Sequence, residues 1–169
     1  MTAFSIQTTA EDHRIAWFTA LAITIHIIES ALPSPLPGLK PGLANVVTIT
    51  VLILYGWKAA AWVSILRVIA GSLILGTFLS PTFLLSFSGA LCAILALFIA
   101  DALPGKGFGP MGFSLLAALA HMTGQVSMAY IAFVPHPGIW QLFPVLIGFA
   151  VLLGASNGLI SLFVLKRLT

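Results

Sequence analysis

Charged residues are scarce in this chain. Only 7% of its 169 residues are Asp, Glu, Lys or Arg, whereas soluble domains contain roughly 25%. Hydrophobic residues make up 60%, and the mean hydropathy is +1.13. Most of the surface must therefore face lipid, which excludes a water-soluble enzyme, a disordered chain and a disulfide-stapled secreted domain. We predict an all-α integral membrane protein that forms one transmembrane domain over residues 1–169.

Residues and motifs that metal binding, cofactor binding and catalysis require are also missing from the sequence or scattered along it. The single cysteine, Cys92, excludes an intramolecular disulfide and a cysteine metal site. The four acidic residues form no cluster that could hold Mg²⁺ and a diphosphate, and the four histidines include no i, i+4 pair suited to zinc or haem. No Walker A motif is present. The sequence therefore predicts no metal, no cofactor, no catalytic residue and no enzymatic activity.

The apolar residues are grouped into six stretches separated by breaks. A membrane-spanning helix needs about 20 mostly apolar residues. The segment 33–42, PSPLPGLKPG, cannot be helical because its prolines fix φ and remove hydrogen-bond donors. Thr8 and Glu11 resemble a capping box ahead of the first helix. The predicted helices are 15–32, 43–56, 59–79, 82–100, 111–134 and 139–165, of which the second is short.

The few basic residues predict the orientation of the chain. Six crossings place both termini on one side of the membrane, and all but one of the basic residues outside the spans fall on that side. These residues are Arg14, Lys58, Lys106, Lys166 and Arg167. Lys40 lies opposite, so the positive-inside rule predicts cytoplasmic termini in a cytoplasmic (inner) membrane and an outer loop 33–42. Because the basic residues form no patch, nucleic acid is excluded as a partner.

Polar side chains recur inside the predicted spans, where ionisable groups are costly and usually face the helix bundle. A rise of about 1.5 Å per residue places one group near the bilayer middle, namely His26, Arg67, His121 and Asn157. A second group lies in the outer half: Glu29, Asn45, Gln125 and Trp140. Two interpretations stay open. Arg67 and Glu29 pair with each other while the neutral groups join helices, or the set lines a ligand-binding interior that opens outward.

The first helix carries small residues on a face of its own. Ala16 and Ala20 form an A-x-x-x-A pair about 120° away from the face of His26 and Glu29. Small residues at this spacing allow helices to approach closely, either within one bundle or at the surface of a partner. The residues alone leave both alternatives open.

The segment from Glu29 to Gly76 contains a dense string of Pro, Gly, Lys and Asn residues. An acid, Glu29, is followed by LPSPLPGLKPGLAN at 32–45 and then by Arg67. This pattern resembles the Gx transporter family, which is also labelled heptaprenyl diphosphate synthase component I. The resemblance implies a six-helix bundle similar to the substrate-binding (S) components of energy-coupling-factor vitamin transporters.

The same resemblance implies a function and partners. The chain would bind a small vitamin-like or amphiphilic anionic molecule, or a lipid-like ligand, beneath the outer loop 33–42. A coupling membrane subunit, contacting Ala16 and Ala20, and ATPase chains would be its partners. The predicted ligand-binding residues are Glu29, Lys40, Asn45, Arg67, His121, Gln125, Trp140 and Asn157. The alternatives are a non-catalytic subunit or scaffold in isoprenoid or quinone-linked redox metabolism, and a structural subunit of a larger complex.

Overall fold

The computed structural model describes residues 8–31, 42–103 and 108–168, and over these residues the protein is helical with no strand. The helices are α1 (Ala10–Ala31), α2 (Ala44–Tyr55), α3 (Trp57–Ile74), α4 (Pro81–Ala102), α5 (Pro110–Ala132) and α6 (Ile139–Leu168). The predicted all-α class with six helices is confirmed. Lys40, Lys106 and residues 33–41 of the predicted outer loop lie outside the described residues.

Helix α2 differs from its neighbours in length and position. Within the described residues, the other five helices are long and apolar enough to cross a membrane, whereas the 12 residues of α2 rise only about 18 Å. Nearly all of its residues from Ala44 to Leu52 are buried, and it packs against α1, α3, α5 and α6. The short predicted span 43–56 is therefore the central helix of the bundle.

Helix α1 starts at Ala10, five residues before the predicted start at residue 15. A capping box accounts for the extra turn, but it is formed by Thr9 and Asp12 rather than by Thr8 and Glu11. The Thr9 hydroxyl accepts from the Asp12 N–H at 3.2 Å, and the Asp12 carboxylate accepts from the Thr9 N–H at 2.8 Å. These bonds satisfy donors that the first turn of a helix leaves free.

Helix α3 ends at Ile74, five residues before the predicted end at residue 79. Gly76 has a φ of +66°, a conformation that glycine adopts without steric cost. Its N–H donates to the carbonyl of Leu73 at 3.2 Å, and the N–H of Thr77 donates to that of Ser72 at 2.8 Å. This is the hydrogen-bond pattern of a Schellman motif, which terminates a helix.

Small residues set the spacing of α4, α5 and α6. A Cβ added at Gly124 would stand 2.7 Å from Cys92 Sγ and 2.8 Å from the carbonyl oxygen of Ser88. The Ser114 hydroxyl donates across the α5–α6 contact to the carbonyl of Gly154 at 2.8 Å. One face of the last helix carries small and polar residues and is buried: Ala150, Gly154, Asn157, Gly158 and Ser161 all lie in the interior.

The described cations outside the bundle interior gather at one end of the molecule. Arg14 at the start of α1 lies 5.4 Å from the ring centroid of Tyr55 at the end of α2, and Trp57 lies 4.8 Å from Phe98. Helices that are consecutive in the chain therefore run antiparallel. The helix ends on one side of the bundle carry basic residues, namely Arg14, Lys58, Lys166 and Arg167. We call this side of the bundle the basic end. No Lys or Arg occurs at the opposite end among the described residues.

Candidate ligand-binding cavity

A cavity of about 220 Å³ lies between the helices, in the half of the bundle away from the basic end. All six helices contribute to its wall. The polar side chains that line it are His26, Glu29, Asn45, Arg67, Thr82, Ser86, His121, Gln125 and Asn157. Leu85, Leu153 and Val68 are among its apolar wall residues. Concave sites with a mixed apolar and polar wall of this kind are the usual form of small-molecule binding sites.

Arg67 is the buried cation of this cavity. It lies two-thirds of the way along α3, and only 5% of its surface is exposed. Its Nη1 donates to Oδ1 of Asn45, at the start of α2, at 3.2 Å. Its Nε is buried and has no hydrogen-bond partner among the described residues. A buried guanidinium is costly unless other groups complete its hydrogen bonds. Because Arg67 lines the cavity, an acceptor that enters the cavity could bind this cation.

Glu29 supplies the opposite charge and is 3% exposed. One of its carboxylate oxygens accepts the backbone N–H of Leu43, just before α2. Glu29 and Arg67 line the same cavity and interact electrostatically. Within the described residues, the hydrogen bond of each side chain goes to another group, Leu43 for Glu29 and Asn45 for Arg67. Both interpretations of the sequence, mutual pairing and a ligand-binding interior, stay predictions.

The two histidines of the cavity are each seated against a glycine of a neighbouring helix. A Cβ added at Gly71 would stand 2.9 Å from Cδ2 of His26, and one added at Gly89 would stand 2.8 Å from Nε2 of His121. Real Cβ contacts are not this short. The two imidazole rings can therefore lie where they do only because Gly71 of α3 and Gly89 of α4 have no side chain.

The two residues that precede α2 are held beside the cavity by two other helices. Asn157 of α6 donates from Nδ2 to the carbonyl of Gly42 at 3.1 Å, while Glu29 of α1 accepts from Leu43. Gly42 itself lines the cavity and has a φ of +71°. The point at which the chain leaves the proline-rich segment is thus attached to the first and the last helix at the cavity.

The structure brings together most of the residues predicted to bind a ligand. Six of them line the one cavity: Glu29, Asn45, Arg67, His121, Gln125 and Asn157. Trp140 does not line it. Its ring packs against Tyr130 at 5.8 Å and Phe143 at 5.5 Å, and 42% of the residue is exposed. Lys40 lies outside the described residues. The roles of all eight stay predictions.

Sequence reasoning missed two polar residues of the wall, Thr82 and Ser86. It placed a third, His26, in the polar set near the bilayer middle but not among the eight residues predicted to bind a ligand. His26 had a usable signal, because it lies one helical turn before Glu29 and shares its face. Thr82 and Ser86 have the same i, i+4 relation on α4, but hydroxyl side chains in apolar helices commonly bond to their own backbone. Their spacing alone does not distinguish a cavity wall from such a helix. No group of three potential metal ligands occurs within the described ranges.

Ala16 and Ala20 lie on the outer surface of the bundle, where both are exposed. Helix α1 packs only against α2 and α3 within the described chain. Beside the alanines, Trp17 is 78% and Leu21 50% exposed. This surface, Ala16, Trp17, Ala20 and Leu21, is called the α1 face below. The two alanines are therefore not used for packing inside the bundle.

The sequence model of one protein family matches residues 18–164, nearly the whole chain, and its description is heptaprenyl diphosphate synthase component I. The chain belongs to this family, which confirms the resemblance noted from the segment 29–76. No curated protein and no solved structure matches the chain.

Proposed function

We propose that this protein is a non-catalytic membrane subunit that binds a small molecule through an anionic group, in the manner of a transporter S component. The observation that carries the proposal is Arg67. It is a cation that is only 5% exposed, lines a cavity and donates one hydrogen bond, to Asn45, within the described residues. Charge inside a membrane bundle marks a functional site by default, and an anionic ligand would complete its hydrogen bonds.

The surrounding contacts support a covered site. Gly42, which ends the proline-rich segment, is attached beside the cavity by Asn157. We therefore infer that loop 33–42 acts as a lid. The basic end would face the cytoplasm of a bacterial-type inner membrane, so that the cavity opens outward. The exposed α1 face would dock a coupling membrane subunit served by ATPase chains.

The family description supports a second candidate. It names a component of a prenyl diphosphate synthase, and a diphosphate is an anion that Arg67 could bind. The cavity of about 220 Å³ would admit the head group while the prenyl chain extends beyond it. In that case the protein is a membrane scaffold of isoprenoid or quinone metabolism rather than a transport subunit.

Analysis of retained molecules tests both candidates. The protein is purified in mild detergent, and mass spectrometry identifies and quantifies the small molecules that remain bound. We expect Arg67→Gln to retain at least tenfold less, because loss of a charged hydrogen bond to a buried anion costs about 1.5–3 kcal/mol. Arg167→Gln, which removes the same charge at the exposed basic end, serves as the matched control.

The identity of the retained molecule separates the candidates. A soluble metabolite supports the transport subunit, and an isoprenoid diphosphate or quinone supports the scaffold. Equal retention by the wild type and by a folded Arg67→Gln variant would remove Arg67 from the site, and the proposal with it.

A further inference from the structure

We propose that the molecule bound in this cavity is a zwitterion, with its acidic group at Arg67 and a protonated nitrogen at Glu29. This inference rests on the proposed function and deepens it by naming the chemical class of the ligand. It comes from the charge balance of the wall: Glu29 and Arg67 are the charged side chains that line the cavity within the described residues. Their charges are opposite and equal.

Both charges are buried, and the described residues leave hydrogen-bonding capacity unused on each. Glu29 is 3% and Arg67 5% exposed. Within the residues that the structure covers, the side chain of Glu29 accepts one hydrogen bond, from Leu43, and that of Arg67 donates one, to Asn45. A carboxylate can accept from about four directions and a guanidinium has five N–H donors. Each group thus retains capacity for a further partner.

A purely anionic molecule fits this wall poorly. Charges interact strongly in a weakly polar interior, because little solvent screens them. An anion at Arg67 would be repelled by Glu29 in the same small cavity and would leave an excess negative charge inside the membrane bundle. A purely cationic molecule meets the same difficulty at Arg67. A molecule with both charges leaves the loaded wall neutral and gives each buried group its missing partner.

The neutral polar residues suit the rest of such a molecule. His121, Gln125 and Asn157 lie on α5 and α6, across the cavity from the helices that carry the two charges. Their side chains offer both donors and acceptors. Apolar residues such as Leu85 and Leu153 complete the wall, so a compact skeleton with some hydrocarbon is favoured over a fully hydroxylated one.

The test uses the compound that the purified wild-type protein releases on denaturation, identified by mass spectrometry and then obtained in pure form. We expect this compound to contain both an acidic group and a basic nitrogen. Its affinity is next measured by calorimetry on protein emptied by detergent exchange, for the wild type, Glu29→Gln and Arg67→Gln. We expect each substitution to weaken binding at least tenfold.

The direction of the Glu29→Gln effect decides the inference. If the compound is only anionic, removal of the buried carboxylate relieves repulsion, so Glu29→Gln would bind more tightly than the wild type and overturn the zwitterion assignment. Glu11→Gln, the same change in the exposed first turn of α1, controls for general effects and should bind like the wild type. If Arg67→Gln also binds like the wild type, or the wild type releases no compound, the proposed function itself fails.

Discussion

At the scale of single residues, the position of His121 depends on a residue that bears no side chain. The ring lies so close to Gly89 that a methyl group there would stand 2.8 Å from Nε2. We expect Gly89→Ala to displace the imidazole and also the side chain of Gln125, whose Cγ would stand 2.9 Å from the methyl group, because side chains move more easily than a helix. The amount of retained small molecule should fall about three- to tenfold, which corresponds to roughly 0.7–1.4 kcal/mol.

Gly148→Ala is the matched control for this change. Gly148 is also within a helix, and a Cβ there would meet nothing within 4 Å. The control should retain as much small molecule as the wild type. Retention unchanged in Gly89→Ala as well would show that the position of His121 does not matter for binding.

The membership of the cavity wall was largely predictable because depth along a helix can be counted from the sequence. Arg67, His121 and Asn157 lie where a rise of 1.5 Å per residue places them together. Depth does not fix the direction in which a side chain points around the helix axis. Trp140 was placed at a suitable depth, yet its ring packs on Tyr130 and Phe143 instead.

At the scale of helices, the contact between α4 and α5 is closer than most side chains allow. Gly124 faces both Cys92 and the backbone carbonyl of Ser88, and the Ser88 hydroxyl donates to the carbonyl of Gly124 at 3.2 Å. Since the backbone cannot rotate away, Gly124→Ala must separate the two helices. We expect it to destabilise the protein by about 1–3 kcal/mol, as overpacking does.

Unfolding by a denaturing detergent, followed by circular dichroism, measures this difference. Gly148→Ala again provides the comparison. It adds a methyl group in open space and replaces glycine by a better helix former, so it should be neutral or stabilising by up to about 1 kcal/mol. Equal stability of the two variants would mean that the α4–α5 spacing tolerates a side chain.

The α1 face makes a second prediction at the scale of helices. Ala16 and Ala20 are exposed and small, so larger residues there would leave the bundle intact but hold a partner helix away. We expect the double variant Ala16→Leu, Ala20→Leu to keep its retained small molecule and to lose copurifying membrane subunits. Ala31→Leu, at an exposed position at the other end of the same helix, should keep both. Loss of the retained molecule in the double variant would contradict the prediction that the α1 face binds a partner without contributing to the cavity.

Helix ends illustrate what local patterns do and do not determine. The sequence TTAED at 8–12 offers two overlapping capping boxes, and the structure uses Thr9 with Asp12. The end of α3 was extended too far because apolar residues continue past Gly76. Hydrophobicity alone does not stop a helix, whereas the positive φ of Gly76 allows the chain to turn.

At the scale of the whole molecule, the few charged residues discussed above occupy two places in the described part of the chain. Those of the basic end lie at helix termini, where they can contact water and lipid head groups. Glu29 and Arg67 lie inside the bundle, on the cavity in the other half. With this distribution of charges, the orientation of the protein in the membrane determines from which side a ligand reaches the cavity. If the basic end faces the cytoplasm, the cavity must open to the outside, as a protein that captures a solute for import requires.

The orientation can be measured with single cysteines, because Cys92 is the one native thiol and can be replaced by serine. A membrane-impermeant maleimide is added to intact cells that carry His136→Cys, Glu11→Cys or Leu168→Cys. His136 is an exposed residue in the turn between α5 and α6, whereas Glu11 and Leu168 lie at the basic end. We expect labelling at position 136 in intact cells and at positions 11 and 168 only after permeabilisation. The reverse pattern would place the cavity on the cytoplasmic side and exclude capture from outside, since Arg67 would then be reached only from within the cell.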